Sequence, residues 1–246
     1  ANGVIIVTTK KGKEGKTRFN YHGVYGVQSP TDVPEMASAS QYVEMVNRAR
    51  IFSGLGPAYT EEEVENYRNG ALGYEGTNWY DETFKDEAFQ QQHNFSATGG
   101  SESIKYFTSL GFVEDAGLLK SNDLNYKKYT FRSNLTAQLT KNLKADIQIS
   151  GLYDKKESPG ESFFMIFKAT RTGDPTAKPY ANGNPDFPSL LMPSNQNPIA
   201  MAERDISGFR ENVNKNFRST AVLTYDVLFF DGLFLTGRYS YDSNSY

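Results

Sequence analysis

The sequence predicts an all-β fold, an antiparallel sheet of about seven strands interrupted by two long insertions that carry short helices. Three observations predict it. Several runs alternate apolar and polar residues with the period of two that a half-buried strand requires. Apolar residues make up only 38% of the 246, yet aromatics reach 14%, with 17 Phe, 16 Tyr and 1 Trp; a disordered chain is poor in aromatics. The connections between the runs alternate between tight turns and long segments. No stretch approaches the roughly 18 apolar residues of a membrane-spanning helix; the longest apolar runs are short, such as 4–7 and 163–167.

The first strand-like run is 4–9, directly after Ala1-Asn2-Gly3, with no initiator Met and no signal segment before it. At the other end the chain stops at Tyr246, just after an alternating run. Both ends are expected to be cuts through a longer polypeptide. Over 17–28, Phe19, Tyr21, Tyr25 and Val27 share one face and Arg18, Asn20, His22 and Gln28 the other. Residues 29–91 break the period: Pro30 and Pro34 open an insertion, and Ser40 precedes a helical spacing over 41–52. Thr60 and Glu63 form a capping-box pattern, with Gly70 as the stop.

Strands resume over 92–98, and Gly99-Gly100-Ser101 leads into 104–113 as a hairpin. The next run has Tyr129, Phe131, Leu135, Ala137 and Leu139 on one face, with Ser133 interrupting. A turn at Lys141-Asn142 leads to Leu143, Ala145, Ile147, Ile149 and Tyr153 on a shared face. The second insertion, 155–208, is proline-rich, with a helical piece over 162–171. Alternation returns with Phe217, Ala221, Leu223, Tyr225 and Val227, although Val222 breaks the polar face. The turn Asp231-Gly232 leads to Leu233, Leu235, Tyr239 and Tyr241.

In this order the long connections fall on one end of the sheet and the tight turns on the other. An outer-membrane barrel has that rhythm, with short periplasmic turns and long outward loops. It also has one apolar face for lipid and one polar face for a wet lumen, and closure into a barrel removes unpaired strand edges from lipid. A half-exposed antiparallel sheet of a soluble or secreted glycan-binding module alternates in the same way. Periodicity leaves both open.

Several stretches carry a resemblance. Residues 1–13, Ala-Asn-Gly-Val-Ile-Ile-Val-Thr-Thr-Lys-Lys-Gly-Lys, resemble the end of the plug domain in the SusC/RagA family of TonB-dependent outer-membrane transporters. Asn78-Trp79-Tyr80-Asp81-Glu82 with Phe84, then His93-Asn94-Phe95-Ser96-Ala97-Thr98-Gly99-Gly100-Ser101-Glu102, then 106–117, agree in the family's order, and Tyr129, Phe131, Arg132 and Asn134 continue it. The likeness is weakest across 155–208. It implies an internal part of a large plugged barrel, a class of about 22 strands: residues 1–14 as the last plug strand and linker, and 17–246 as the first barrel strands. It implies a multi-pass protein in the bacterial outer membrane, importing oligosaccharide or peptide. Its partners are a SusD-like lipoprotein lid, outer-membrane lipid, and TonB through a segment absent from this chain. Nearly all of the family's plug and most of its barrel are also absent.

No enzyme chemistry stands out. The chain has no cysteine, hence no disulfide, no Cys-ligated zinc and no thiol nucleophile. With a net charge of −3 and no Lys/Arg cluster, nothing argues for nucleic acid. His22 and His93 each sit in a strand pattern, where a lumen or interface side chain is expected. Glu61, Glu62, Glu63 and Glu65 suit a solvated first helical turn. No nucleophile elbow, phosphate loop or His-Glu-x-x-His occurs, and a glycosidase would need a carboxylate pair that sequence alone cannot place. No catalytic residue, metal ligand or cofactor is expected. Candidate contacts for substrate or lid are Trp79, Tyr80 and Phe84, whose rings either stack on sugars or the lid, or pack the first insertion onto the barrel rim. In the second insertion Tyr180, Asn182, Asn184 and Asp186, with Phe187, suit hydrogen bonding to carbohydrate.

Overall fold

In a computed structural model, which describes residue 3 and residues 10–190, 196–230 and 232–246, the chain forms one antiparallel sheet of seven strands in sequence order. The strands are β1 (Gly15–Gln28), β2 (Ala88–Gly100), β3 (Ile104–Ala116), β4 (Asn125–Gln138), β5 (Leu143–Pro159), β6 (Phe209–Asp226) and β7 (Phe234–Ser245). Each pairs with the next, and the sheet is open, with β1 and β7 at its edges. The strand expected at 4–9 lies outside the described residues.

Register fixes the faces. Tyr21 pairs with Phe95, Phe95 with Leu110, Leu110 with Phe131, Phe131 with Gly151 and Gly151 with Phe217, so these residues share one face. The alternate residues form the polar face: Asn20 opposite Ser96, Ser109 opposite Arg132, Thr136 opposite Asp146, Arg218 opposite Asp242. The two faces differ in what they meet. Polar-face side chains satisfy one another, as in the 2.5 Å Thr136–Asp146 hydrogen bond and the Lys144–Asp146 and Arg218–Asp242 ion pairs. The apolar face is uncovered: Phe19, Tyr25 and Tyr239 are 70%, 75% and 70% exposed.

Three tight connections join β2–β3, β4–β5 and β6–β7 at one end. At the first, Ser101 N–H donates to Ile104 O at 2.7 Å. At the third, Val227 N–H donates to Leu233 O at 2.9 Å and Gly232 takes a positive φ of 80°; Asp231 lies outside the described residues. The other end carries the long connections, and their helices follow from local capping. Helix α1 (Ala39–Phe52) begins two residues earlier than Ser40 would set it. Ser38 is the cap, because it stands three residues before Gln41 and the two exchange side chain-to-backbone hydrogen bonds, closing a capping box. Helix α2 (Glu61–Asn69) is capped by Thr60 and Glu63 and stopped by left-handed Gly70 at φ 61°, as its sequence predicts. Helix α4 (Phe163–Thr172) is capped by Ser162.

Three short helices escape periodicity: α3 (Trp79–Thr83), α5 (Pro198–Ala202) and α6 (Arg204–Ser207). The strands also outrun the expected insertion limits. β2 starts at Ala88, and β5 continues through Lys155–Lys156–Glu157–Ser158–Pro159 because backbone pairing with β6 continues to Pro159 opposite Phe209.

The buried core lies under the long connections rather than against the sheet. One cluster joins Tyr80, Phe84, Leu119, Ile166 and Ala202; a second joins Trp79 and Ile199. The two insertions and the β3–β4 connection thus fold together as one cap.

Candidate functional site

Near the long-connection end, the apolar face carries a continuous aromatic row across five strands. Tyr25 meets His93 edge-on at 5.3 Å between ring centroids. His93 stacks on Phe112 at 6.1 Å, Phe112 lies 5.1 Å from Tyr129, and Tyr129 lies 6.1 Å from Tyr153. Cross-strand aromatic pairs stabilise a sheet by roughly 0.2–1 kcal/mol each. His93 is built into the row: the Tyr21 hydroxyl lies 2.7 Å from Nδ1 and Gln91 Oε1 lies 3.0 Å from Nε2. His22 belongs to the polar face, opposite Asn94.

One step toward the cap the same face becomes charged. Lys127 pairs with Glu114 at 3.1 Å, and Lys155 bridges Glu157 and Glu211 at 2.9 Å each. An apolar band, then rings, then paired charges is the profile of a surface passing from hydrocarbon through a membrane interface to water. Aromatic rings prefer that boundary because their faces are apolar and their hydroxyls hydrogen-bond.

On the polar face, residues 10–14 run back across the strands. Asn134 Nδ2 donates to Lys10 O at 2.5 Å, and Lys105 reaches Glu14 at 3.7 Å. Gly12 sits so close to β3 that an added Cβ would lie 2.2 Å from the Tyr106 backbone nitrogen. No periodic signal marks this contact; only Gly12 hints at it.

In the cap, the first insertion's aromatics are covered. Trp79 is 2% exposed, Tyr80 8% and Phe84 3%. The Trp79 indole N–H donates to Asp174 O at 2.8 Å, and its neighbour Thr77 donates from Oγ1 to Ala177 O at 2.7 Å. Phe84 lies 4.9 Å from Tyr80 and 5.6 Å from Phe163. Their rings are taken up by packing between the insertions, so none has a free face for a ligand. Asn78, not singled out in the sequence, caps α3 by accepting from Tyr80 N–H.

The second insertion's candidates are arranged differently. Tyr180 is half-buried beside the Trp79–Ile199 cluster, and burial raises its phenol's pKa, with Glu82 and Glu203 adding to the effect. Beyond it a compact loop closes through the Tyr180–Pro188 bridge and the 2.8 Å bond from Ala181 N–H to Phe187 O. That loop holds Asn182, Asn184, Asp186 and Phe187 exposed together. Asn182 is left-handed at φ 54°, a conformation that Asn tolerates better than most residues. The structure thus gathers Asn182, Asn184 and Asp186 on one exposed loop and places Trp79, Tyr80 and Phe84 in the cap's interior.

Elsewhere in the cap, the Lys178 ammonium beside Glu75 holds its carboxyl at a pKa of about 2, tying the two insertions together. Glu203 is pushed up, first by burial and then by Asp123, Asp205 and Asp186. Among the described residues no group of three or more His, Cys, Asp or Glu side chains is placed to hold a metal, and no helix is long and apolar enough to cross a membrane. The arrangement is suited to binding and to lining.

Comparison with known proteins agrees. No family model matches the chain. It is 28% identical over 156 residues to TonB-dependent receptor P26 of Formosa agariphila, covering 62% of this chain and 15% of that protein. It is 28% identical over 191 residues to TonB-dependent receptor SusC of Bacteroides thetaiotaomicron, covering 75% of this chain and 17% of SusC. The chain therefore spans less than a fifth of these relatives. The solved structure of the RagAB peptide importer in its closed-closed state matches 95% of this chain and 29% of that one, with a TM-score of 0.67 at 18% identity. The open seven-stranded sheet has the fold of a sector of the RagAB barrel wall, and the chain is similar in sequence to SusC and other TonB-dependent receptors.

Proposed function

We propose that the chain forms part of the wall and outward cap of a TonB-dependent importer in the bacterial outer membrane. The observation that carries this reading is the sheet's division into an exposed aromatic and aliphatic face and a polar face that carries hydrogen bonds and ion pairs. A water-soluble domain would bury the first; a barrel gives it to lipid and turns the second to the lumen. The similarity to SusC and to the fold of the RagAB peptide importer supports it. In this reading residues 1–14 are the last plug strand and its linker, 17–246 are barrel, and the long connections face outward.

The cargo is oligosaccharide or peptide, held by non-covalent contacts and admitted under a SusD-like lipoprotein lid, with TonB acting on the plug. The loop bearing Asn182, Asn184 and Asp186 contacts cargo or lid, supported by its exposure. Tyr180, at the base of that loop, packs with Trp79, while Tyr80 and Phe84 belong to the neighbouring cluster that joins the connections. No step of covalent catalysis is assigned.

The test uses the full native protein, tagged in its source bacterium. The expected result is outer-membrane fractionation, a detergent requirement, heat-modifiable gel migration, a co-purifying lipoprotein, and loss of growth on one cargo class when the gene is deleted. A protein that stays soluble without detergent would overturn the proposal in favour of a glycan-binding module.

A further inference from the structure

Residues 10–14 form a strap across the polar face at its tight-turn end. Among the described strands β1 pairs with β2 alone, yet the strap that precedes it touches the three strands beyond. Glu14 reaches Lys105 of β3, Gly12 lies on the β3 backbone, and Lys10 O accepts from Asn134 of β4. Lys11 is near enough for its charge to act on Asp146 of β5, which Thr136 and Lys144 hold in place.

The tightest of these contacts is main chain on main chain. A Cβ at Gly12 would lie 2.2 Å from the Tyr106 backbone nitrogen and 2.6 Å from the Lys105 carbonyl carbon. Glycine alone permits so close an approach. β3 is paired on both sides, so its backbone cannot swing aside as a flexible side chain could. Asn134 is only 7% exposed, which shelters its bond to Lys10 from water. Gly15 then takes a φ of 128° and turns the chain from crossing the strands to running along β1. By contrast the start of β1 is weakly held, since its register with β2 shifts between Gly15 and Arg18.

We propose that residues 10–14 are the fixed anchor of the plug, so that energised movement of the plug ends at Lys10 and the strap stays on the barrel wall throughout transport. The inference rests on the importer reading above, which takes residues 1–14 as the end of the plug and its linker. A pull on the chain ahead of Lys10 meets the Asn134 bond and the Gly12 seat before it reaches β1. The load passes to β3, β4 and β5. Without the strap it would reach Gly15 directly and open the β1–β2 ladder from its irregular end.

The test pulls the full native protein, held in a bilayer, from its plug end by force spectroscopy and reads the chain length released before barrel strands are extracted. In the wild type the release is expected to end at Lys10. Gly12→Val cannot seat against β3 and is expected to release residues 10–14 as well, about 17 Å of extended chain. In cells, Lys10→Cys and Asn134→Cys are joined by a short reducible thiol linker; this chain has no cysteine of its own, and any elsewhere in the full protein is first replaced by serine. TonB-dependent cargo uptake is expected to persist with the linker in place. Heat-modifiable migration shows that each barrel is intact. An unchanged release in folded Gly12→Val overturns the anchor. Uptake that stops on cross-linking and returns on reduction also overturns it, since the strap must then leave the wall. A wild type without TonB-dependent uptake overturns the importer reading instead, and this role with it.

Discussion

Phe84→Ala tests whether the two insertions and the β3–β4 connection are one folded body. Phe84 is 3% exposed and meets Tyr80, Phe163 and Phe167 at centroid distances of 4.9, 5.6 and 6.3 Å. Leu119, Ile166 and Ala202 complete the cluster. Truncating a buried Phe to Ala costs about 3–5 kcal/mol, since the surrounding rings cannot collapse fully into the space. The strands contribute almost nothing to this cluster, so the cost falls on the cap and not on the barrel. If cleavage follows the opened population, the cap becomes roughly 10²- to 10³-fold more susceptible to protease, at about tenfold per 1.4 kcal/mol. The assay is limited trypsin digestion of the detergent-solubilised native protein, followed by mass spectrometry at Lys85, Lys120, Lys168 and Arg171. Lys85 and Lys120 are informative because their backbone N–H groups bond to Leu118 O and Thr83 O across the cap, at 2.7 and 3.0 Å. Cuts are expected in both insertions, with unchanged heat-modifiable migration. An increase of less than tenfold, or cuts confined to the first insertion, would refute the single-body reasoning.

Gly12→Ala places a Cβ 2.2 Å from the Tyr106 backbone nitrogen, so residues 10–14 are expected to lift from β3 and exchange amide hydrogens faster, with the Asn134–Lys10 bond lost. Thr60→Ala removes one half of the α2 capping box and is expected to cost about 1 kcal/mol locally, read as faster amide exchange over α2 alone. The Glu75–Lys178 contact stabilises its charged form, with the Glu75 carboxyl depressed from 4.5 to about 2. The contribution is therefore complete above the unfolded value of 4.5 and is lost as pH falls through about 2. A chemical-shift titration of Glu75 checks this, and a midpoint near 4.5 contradicts it. Raised salt is expected to move that midpoint upward, since the pair is exposed and screened.

The strands were legible because each shows two chemically different faces along its own sequence. Phe19 to Val27 and Leu143 to Tyr153 declare their period without reference to any partner. Their ends were not: Lys155 to Pro159 is extended only because β6 runs beside it, and its sequence has no apolar alternation to show. Helix α2 announced itself through its cap, and α1 and α4 through spacing with α1's cap at Ser38 missed, whereas α3, α5 and α6, of five, five and four residues, complete too little of a turn pattern to be seen. The tendency of Trp79, Tyr80 and Phe84 to matter was visible, but not what covers them. Leu119, Ile166 and Ile199 are ordinary aliphatics in their own segments and become a core only when distant connections meet.

The shared cap has a consequence for how such loops diverge. Thr77 and Ala177 are bonded across 100 positions, and Trp79 and Asp174 across 95. Neither insertion contains a complete hydrophobic interior of its own. Exchanging one of them between relatives would bring in half an interior with no matching half, however well the barrel tolerated the splice. Productive chimeras must move both insertions together with Leu119, so the cap is exchangeable only as one unit although the chain encodes it in separate pieces.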